Sequence, residues 1–140
     1  MPQRRRRNRN KPPMAASYHI EKELGVVFTS GSGTFGFADA VDHMNRLKKD
    51  PDFNPSFSQL LDYREVTEIS LTHDQIVELA SVQIFSAEAK RAFLVATPEH
   101  YGLARVFQNY RAVTGDKSIR VFMDAGEAFA WLGIEKHATP

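Results

Sequence analysis

Cysteine is absent from the 140 residues, which excludes disulfides, thiolate zinc sites and cysteine nucleophiles before any motif is read. Also missing is any apolar run near the roughly 20 residues needed to cross a bilayer. Arg4 to Arg7 are not followed by the apolar stretch that a secretory or twin-arginine signal requires. The expectation is a cytoplasmic protein with no membrane span. What is present suits a soluble domain: 42% hydrophobic and 25% charged residues, enough apolar material for one core at this length.

Acidic residues are missing from the first dozen positions, where Arg4, Arg5, Arg6, Arg7, Arg9 and Lys11 lie. Taking those six from 18 basic residues leaves 12 against 17 acidic ones, so the net charge of +1 conceals a remainder of about −5. Such an arm can touch phosphates, but it carries no aromatic side chain to stack on bases. Residues 1–15 are therefore read as a disordered basic arm, 16–135 as the domain and 136–140 as a tail. Nucleic-acid contact is expected to be weak and confined to the arm.

Within the domain, Tyr18 to Glu23 alternates in polarity and Val26 to Thr29 is β-branched and aromatic, which together predict an antiparallel pair. Thr34 can cap a first helix carrying Phe37, Val41 and Met44 at helical spacing. Pro51 and Pro55 end that helix, and Phe57 to Asp62 reads as a third strand. Thr72 and Gln75 form a capping box, with Leu71 and Ile76 as its staple, before a second helix bearing Leu79, Ala80 and Ile84. Ala92 to Ala96 is continuously apolar, as in a strand covered on both faces. Thr97 and Pro98 open a third helix that turns Leu103, Val106, Phe107, Tyr110 and Val113 inward, and Gly115 closes it. Ser118 to Phe122 is a fifth strand, and Asp124 with Glu127 starts a short last helix that buries Ala128 and Leu132. The order ββαβαβαβα predicts an α/β fold with a mixed sheet of five strands.

The same order and lengths resemble the STAS domain, and more closely the stand-alone bacterial proteins called SpoIIAA-like or STAS/SEC14-like. The likeness rests on Gly25-Val26-Val27 through Gly33-Thr34, on Tyr101 to Arg105, on Arg120-Val121-Phe122 and on Ala128 to Gly133. It implies a regulatory protein-interaction module. The SEC14 part of the name implies an apolar or lipid ligand as the alternative. In the antagonist members a strand-end aspartate is followed by a phosphorylatable serine. Asp62 matches the aspartate, but Leu71 falls where that serine should be and Ser70 lies one place early, so no phosphoserine switch is expected.

Gly31 to Gly36 matches GxGxxG, but no ribose-binding acid stands about 20 residues on and the chain is too short for two mononucleotide-binding halves. The plainer reading is a turn in which glycine supplies positive φ. Asp50, Asp52 and Asn54 begin like a calcium loop, yet Pro55 and Leu61 stand where glycine and the bidentate glutamate belong. The five histidines are scattered without a ligand spacing, and no nucleophile elbow or acid–base pair stands out. No cofactor, metal or catalysis is expected.

Ligands of open α/β sheets gather beyond the carboxyl ends of the strands. That rule places Ser30, Gly31, Ser32, Gly33 and Thr34, Asp62, Tyr63 and Arg64, Ser70, Thr97 and Asp124 around one rim. The first expectation is a partner protein docked there, with a homodimer as one form of the assembly. The alternative is a small-molecule or lipid carrier with a pocket under the Gly31 segment, and an enzyme comes third. A buried apolar cavity favours the carrier; a packed core with an exposed apolar patch favours the partner.

Overall fold

The computed structural model describes residues 15–135, so nearly all of the basic arm and the short tail, with the expectations placed on them, lie outside the described residues. Five strands and four helices alternate as β1 (Ala16–Glu21), β2 (Val26–Gly36), α1 (Phe37–Lys49), β3 (Ser58–Ser70), α2 (His73–Ala80), β4 (Arg91–Leu94), α3 (Pro98–Val113), β5 (Ile119–Phe122) and α4 (Ala125–Leu132). The strands lie side by side in chain order. β1 runs antiparallel to β2 and every later pair is parallel. This is the mixed five-stranded sheet expected from the order of the elements.

Side chains alternate across the sheet, and the two faces are covered unequally. Leu61, Phe93 and Val121 point to one face, where they meet Ala40 of α1, Leu79 of α2 and Ala104 of α3. Leu60, Ala92, Leu94 and Phe122 point to the other, where Ala128, Phe129 and Leu132 of α4 cover them. Three helices thus share one face, while α4 packs over β4 and β5 on the second.

Helix starts follow the predicted caps where a side-chain oxygen is placed to accept an orphan amide. Thr72 Oγ1 accepts from Gln75 N at 3.1 Å, and Gln75 Oε1 accepts from Thr72 N at 3.0 Å. Thr97 Oγ1 accepts from His100 N at 3.1 Å, and Asp124 Oδ2 accepts from Glu127 N at 3.0 Å.

The first helix corrects the reading. Its cap is Gly36, held by the Asp39 carboxylate at 2.8 Å, and Thr34 lies inside β2. The Gly31–Gly36 segment is strand, not a turn around a helix terminus, because it pairs with β3 from Ser32↔Glu65 to Gly36↔Ser70. Positive φ is needed only at Gly33, +66°, where the register shifts at a bulge. β3 correspondingly continues eight residues past its expected end at Asp62. Two further expectations shift. Ile84 falls beyond α2, which stops at Ala80, yet it still packs on the core. On α3, Tyr110 and Val113 are exposed at 38% and 84%, and Arg111 takes the buried position instead.

Candidate functional site

Between the sheet and the three helices lies a cavity of about 110 Å³. Its floor is the helix-side row of β3, Gln59, Leu61 and Tyr63, whose four-residue span corresponds to about 13 Å of strand. Phe93 and Arg91 of β4 continue the floor, and Met44, Ile76, Leu103 and Phe107 belong to the walls. The cavity is mainly apolar, with Gln59 and Arg91 toward the amino ends of the parallel strands and Tyr63 farther along β3.

A chain of polar side chains crosses the Gln59 and Arg91 end. Arg91 Nε donates to Gln59 Oε1 at 3.0 Å, and Gln59 Nε2 donates to Thr29 Oγ1 at 2.9 Å. Thr29 Oγ1 lies 3.1 Å from His43 Nε2. Arginine can only donate, so it fixes the Gln59 amide with its oxygen toward β4 and its nitrogen toward β2. The Thr29 hydroxyl proton is then available for His43 Nε2. Gln59 and Thr29 are 1% and 2% exposed, so each bond satisfies a group that water does not reach.

Burial pushes the His43 imidazole down to about 4, reinforced by the nearby charges of Arg46 and Arg91 and opposed by Asp42. It is neutral at physiological pH. The Arg91 guanidinium is lowered to about 10 by its burial, with Asp116 acting the other way and Arg111 adding to the fall. It remains charged, and it lies over the rings of Phe85 at 4.5 Å and Phe107 at 5.8 Å. Among the described residues its two terminal nitrogens have no hydrogen-bond acceptor, and no carboxylate forms an ion pair with it.

Of the residues expected at the rim, only Tyr63 lines this cavity. Ser30 and Asp62 are register neighbours on β2 and β3. Burial alone would raise the Asp62 carboxyl, but two side-chain bonds from Arg64, at 2.9 and 2.8 Å, outweigh it and hold the carboxyl below the ordinary range. Ser32, Gly33 and Thr34 are exposed on the outer part of β2, Ser70 closes β3 opposite Gly36, and Thr97 and Asp124 serve as helix caps. Among the described residues no three histidine or acidic side chains come together in a metal-binding group. Among the described residues no helix is long and apolar enough to cross a membrane.

Gly31 has a packing role that its GxGxxG setting obscures. A β-carbon there would lie 2.8 Å from Tyr63 Cδ1 and 3.1 Å from the Ala15 carbonyl oxygen, inside van der Waals contact. Gly31→Ala is expected to cost about 1 to 3 kcal/mol as the ring is displaced. Urea unfolding of Gly31→Ala, Tyr63→Ala and the double variant checks this. If the two effects simply add, the ring is not what excludes a side chain at residue 31.

Arg91, Gln59 and His43 are the site residues that sequence reading missed. Two carried a signal, since Gln59 and Arg91 each sit at the start of an apolar strand, where a polar side chain that becomes buried must find a partner. His43 carried a weaker one, falling between the apolar positions Val41 and Met44 of an amphipathic helix.

No protein-family profile and no curated protein matches the sequence. A solved structure does: an uncharacterized protein of the DUF3478 family from Shewanella loihica PV-4, described as having a SpoIIAA-like fold. The two share 15% identity, with 87% of this chain and 97% of that one covered at a TM-score of 0.57. At that identity the likeness speaks for architecture alone. With the sheet order and helix placement above, it shows that this chain has a SpoIIAA-like α/β fold.

Proposed function

We propose that this protein is a non-catalytic small-molecule carrier or sensor whose ligand occupies the cavity between the sheet and α1 to α3. The observation that carries the reading is the cavity itself. Folded interiors are close-packed, with few voids larger than a water molecule, whereas this one has about 110 Å³ lined mainly by aliphatic and aromatic side chains. A dry apolar cavity of roughly 150 Å³ is known to take benzene, so a ligand body of about six carbons is the right scale. The exposed large apolar side chains do not argue equally for a partner. Leu24, Val82, Tyr110, Val113 and Met123 are spread over the β1–β2 turn, the segment after α2, α3 and the β5–α4 turn.

Benzene at about ten times its dissociation constant is expected to raise the unfolding free energy by about 1.4 kcal/mol. Ala104→Phe, which places a ring in the cavity, is expected to remove that gain while leaving the fold intact by circular dichroism. No stabilisation of the wild type by benzene, together with crystals that stay empty under xenon, would overturn the reading.

A regulatory protein-interaction module is the second reading. It is favoured by the concave surface beside α4, where Ser17, His19, Ser30 and Asp62 stand around Phe28 and Leu60. A partner there, or a second copy of the chain, would act without a phosphoserine switch, because Leu71 lines the cavity and Ser70 ends a strand.

A further inference from the structure

The cavity is not uniformly apolar, and its one charged group is incompletely satisfied. Arg91 uses Nε on Gln59 and its faces on Phe85 and Phe107, which leaves its two terminal nitrogens without protein acceptors among the described residues. Arg111, a fully buried arginine nearby, is committed to the Ala80 carbonyl oxygen at 2.9 Å and to Asp116 at 3.5 Å. Arg91 is accordingly a part-buried cation at the end of an apolar cavity, with Asp116 near enough to favour its charge but ion-paired to Arg111 instead. A part-buried guanidinium whose terminal nitrogens have no protein acceptor favours an anion entering beside it, which takes up those charge-assisted bonds in place of water.

We infer that Arg91 makes the cavity a site for a small apolar monocarboxylate, the carboxylate on the two terminal nitrogens and the hydrocarbon body lying along Leu61 and Phe93 toward Tyr63. A single free guanidinium matches one negative charge. A phosphate monoester, approaching two charges at neutral pH, would leave one unmatched. His43 is turned to Thr29 and uncharged, so it adds no second cation. The apolar body is set by the floor and walls, and about six carbons fill the volume. This inference rests on the cavity being a ligand site.

Hexanoate, hexan-1-ol and hexylamine, titrated calorimetrically at neutral pH, separate the two claims because they share a chain and differ in the head. Hexanoate is expected to bind the wild type roughly tenfold or more tightly than hexan-1-ol, about 1.4 kcal/mol, with hexylamine weakest. Arg91→Met is expected to abolish that preference while retaining hexan-1-ol. Should the loss of the Gln59 partner unfold that variant, Arg91→Lys keeps the charge and is expected to keep part of the preference. Hexan-1-ol binding the wild type as tightly as hexanoate overturns the carboxylate assignment and leaves the cavity reading standing. Failure of all three compounds to bind overturns both.

Discussion

Asp116→Ala is expected to lower the unfolding free energy by about 3 to 5 kcal/mol, the cost of leaving a buried guanidinium without its carboxylate. Arg111 and Asp116 are 3% and 1% exposed. Together with the Arg111 bond to Ala80 O, their 3.5 Å contact ties the end of α3 to the end of α2 and to the loop before β5. Removing the carboxylate leaves a guanidinium buried with one carbonyl partner, and the desolvation it suffers on folding is no longer offset. The double variant Arg111→Met with Asp116→Leu removes both charges and is expected to lose less than Asp116→Ala alone. Urea unfolding of the three proteins decides the matter. If the double variant is the least stable, the pair is a net stabiliser and not a compensated cost.

Acid should weaken the fold in a window set by His43. In the unfolded chain the imidazole protonates near its ordinary 6.5, whereas burial lowers it to about 4 in the fold. Between those values the unfolded state takes up a proton that the folded state refuses, so stability is complete above the upper value and falls as pH drops through the window. The total is about 3 kcal/mol, of which about 2 kcal/mol is lost between pH 7.5 and pH 5. Carboxylates held low by partners, Asp50 by Tyr18 and the Asp52 amide and Asp62 by Arg64, titrate beneath this range and do not blur it. Unfolding free energies at several pH values for wild type and His43→Leu test the assignment. The variant should be less pH-sensitive over the window by about that amount. Parallel profiles would mean that another group carries the acid response.

How far the sequence revealed this molecule depended on whether the deciding contact was local. The caps at Thr72, Thr97 and Asp124 each reach an amide three residues away, so residue types at fixed spacing sufficed. The stretch from Gly31 to Gly36 was misread as a turn because glycine weakens a strand in isolation. Its pairing with Glu65 to Ser70 lies more than thirty residues off in sequence, and bulges interrupt the alternation that would have revealed it. Tyr110 and Val113 fit the helical period but lie where the last turns of α3 meet solvent, while Arg111 turns inward toward Asp116. The cavity was hidden for the same reason. Thr29, His43, Gln59 and Arg91 come from four elements, and only the order of the sheet makes them neighbours.

That order also bears on how the protein reaches its native state. Because strands adjacent in space are consecutive along the chain, no strand must be threaded between two that are already joined. Each pairing closes only one turn or one helix-containing connection, so the entropy of loop closure is met in modest increments. Topologies of this kind have lower relative contact order than those in which distant strands must meet first, and they fold correspondingly faster. The growing sheet has a fresh edge at every stage, and the next segment to leave the ribosome is the one that covers it.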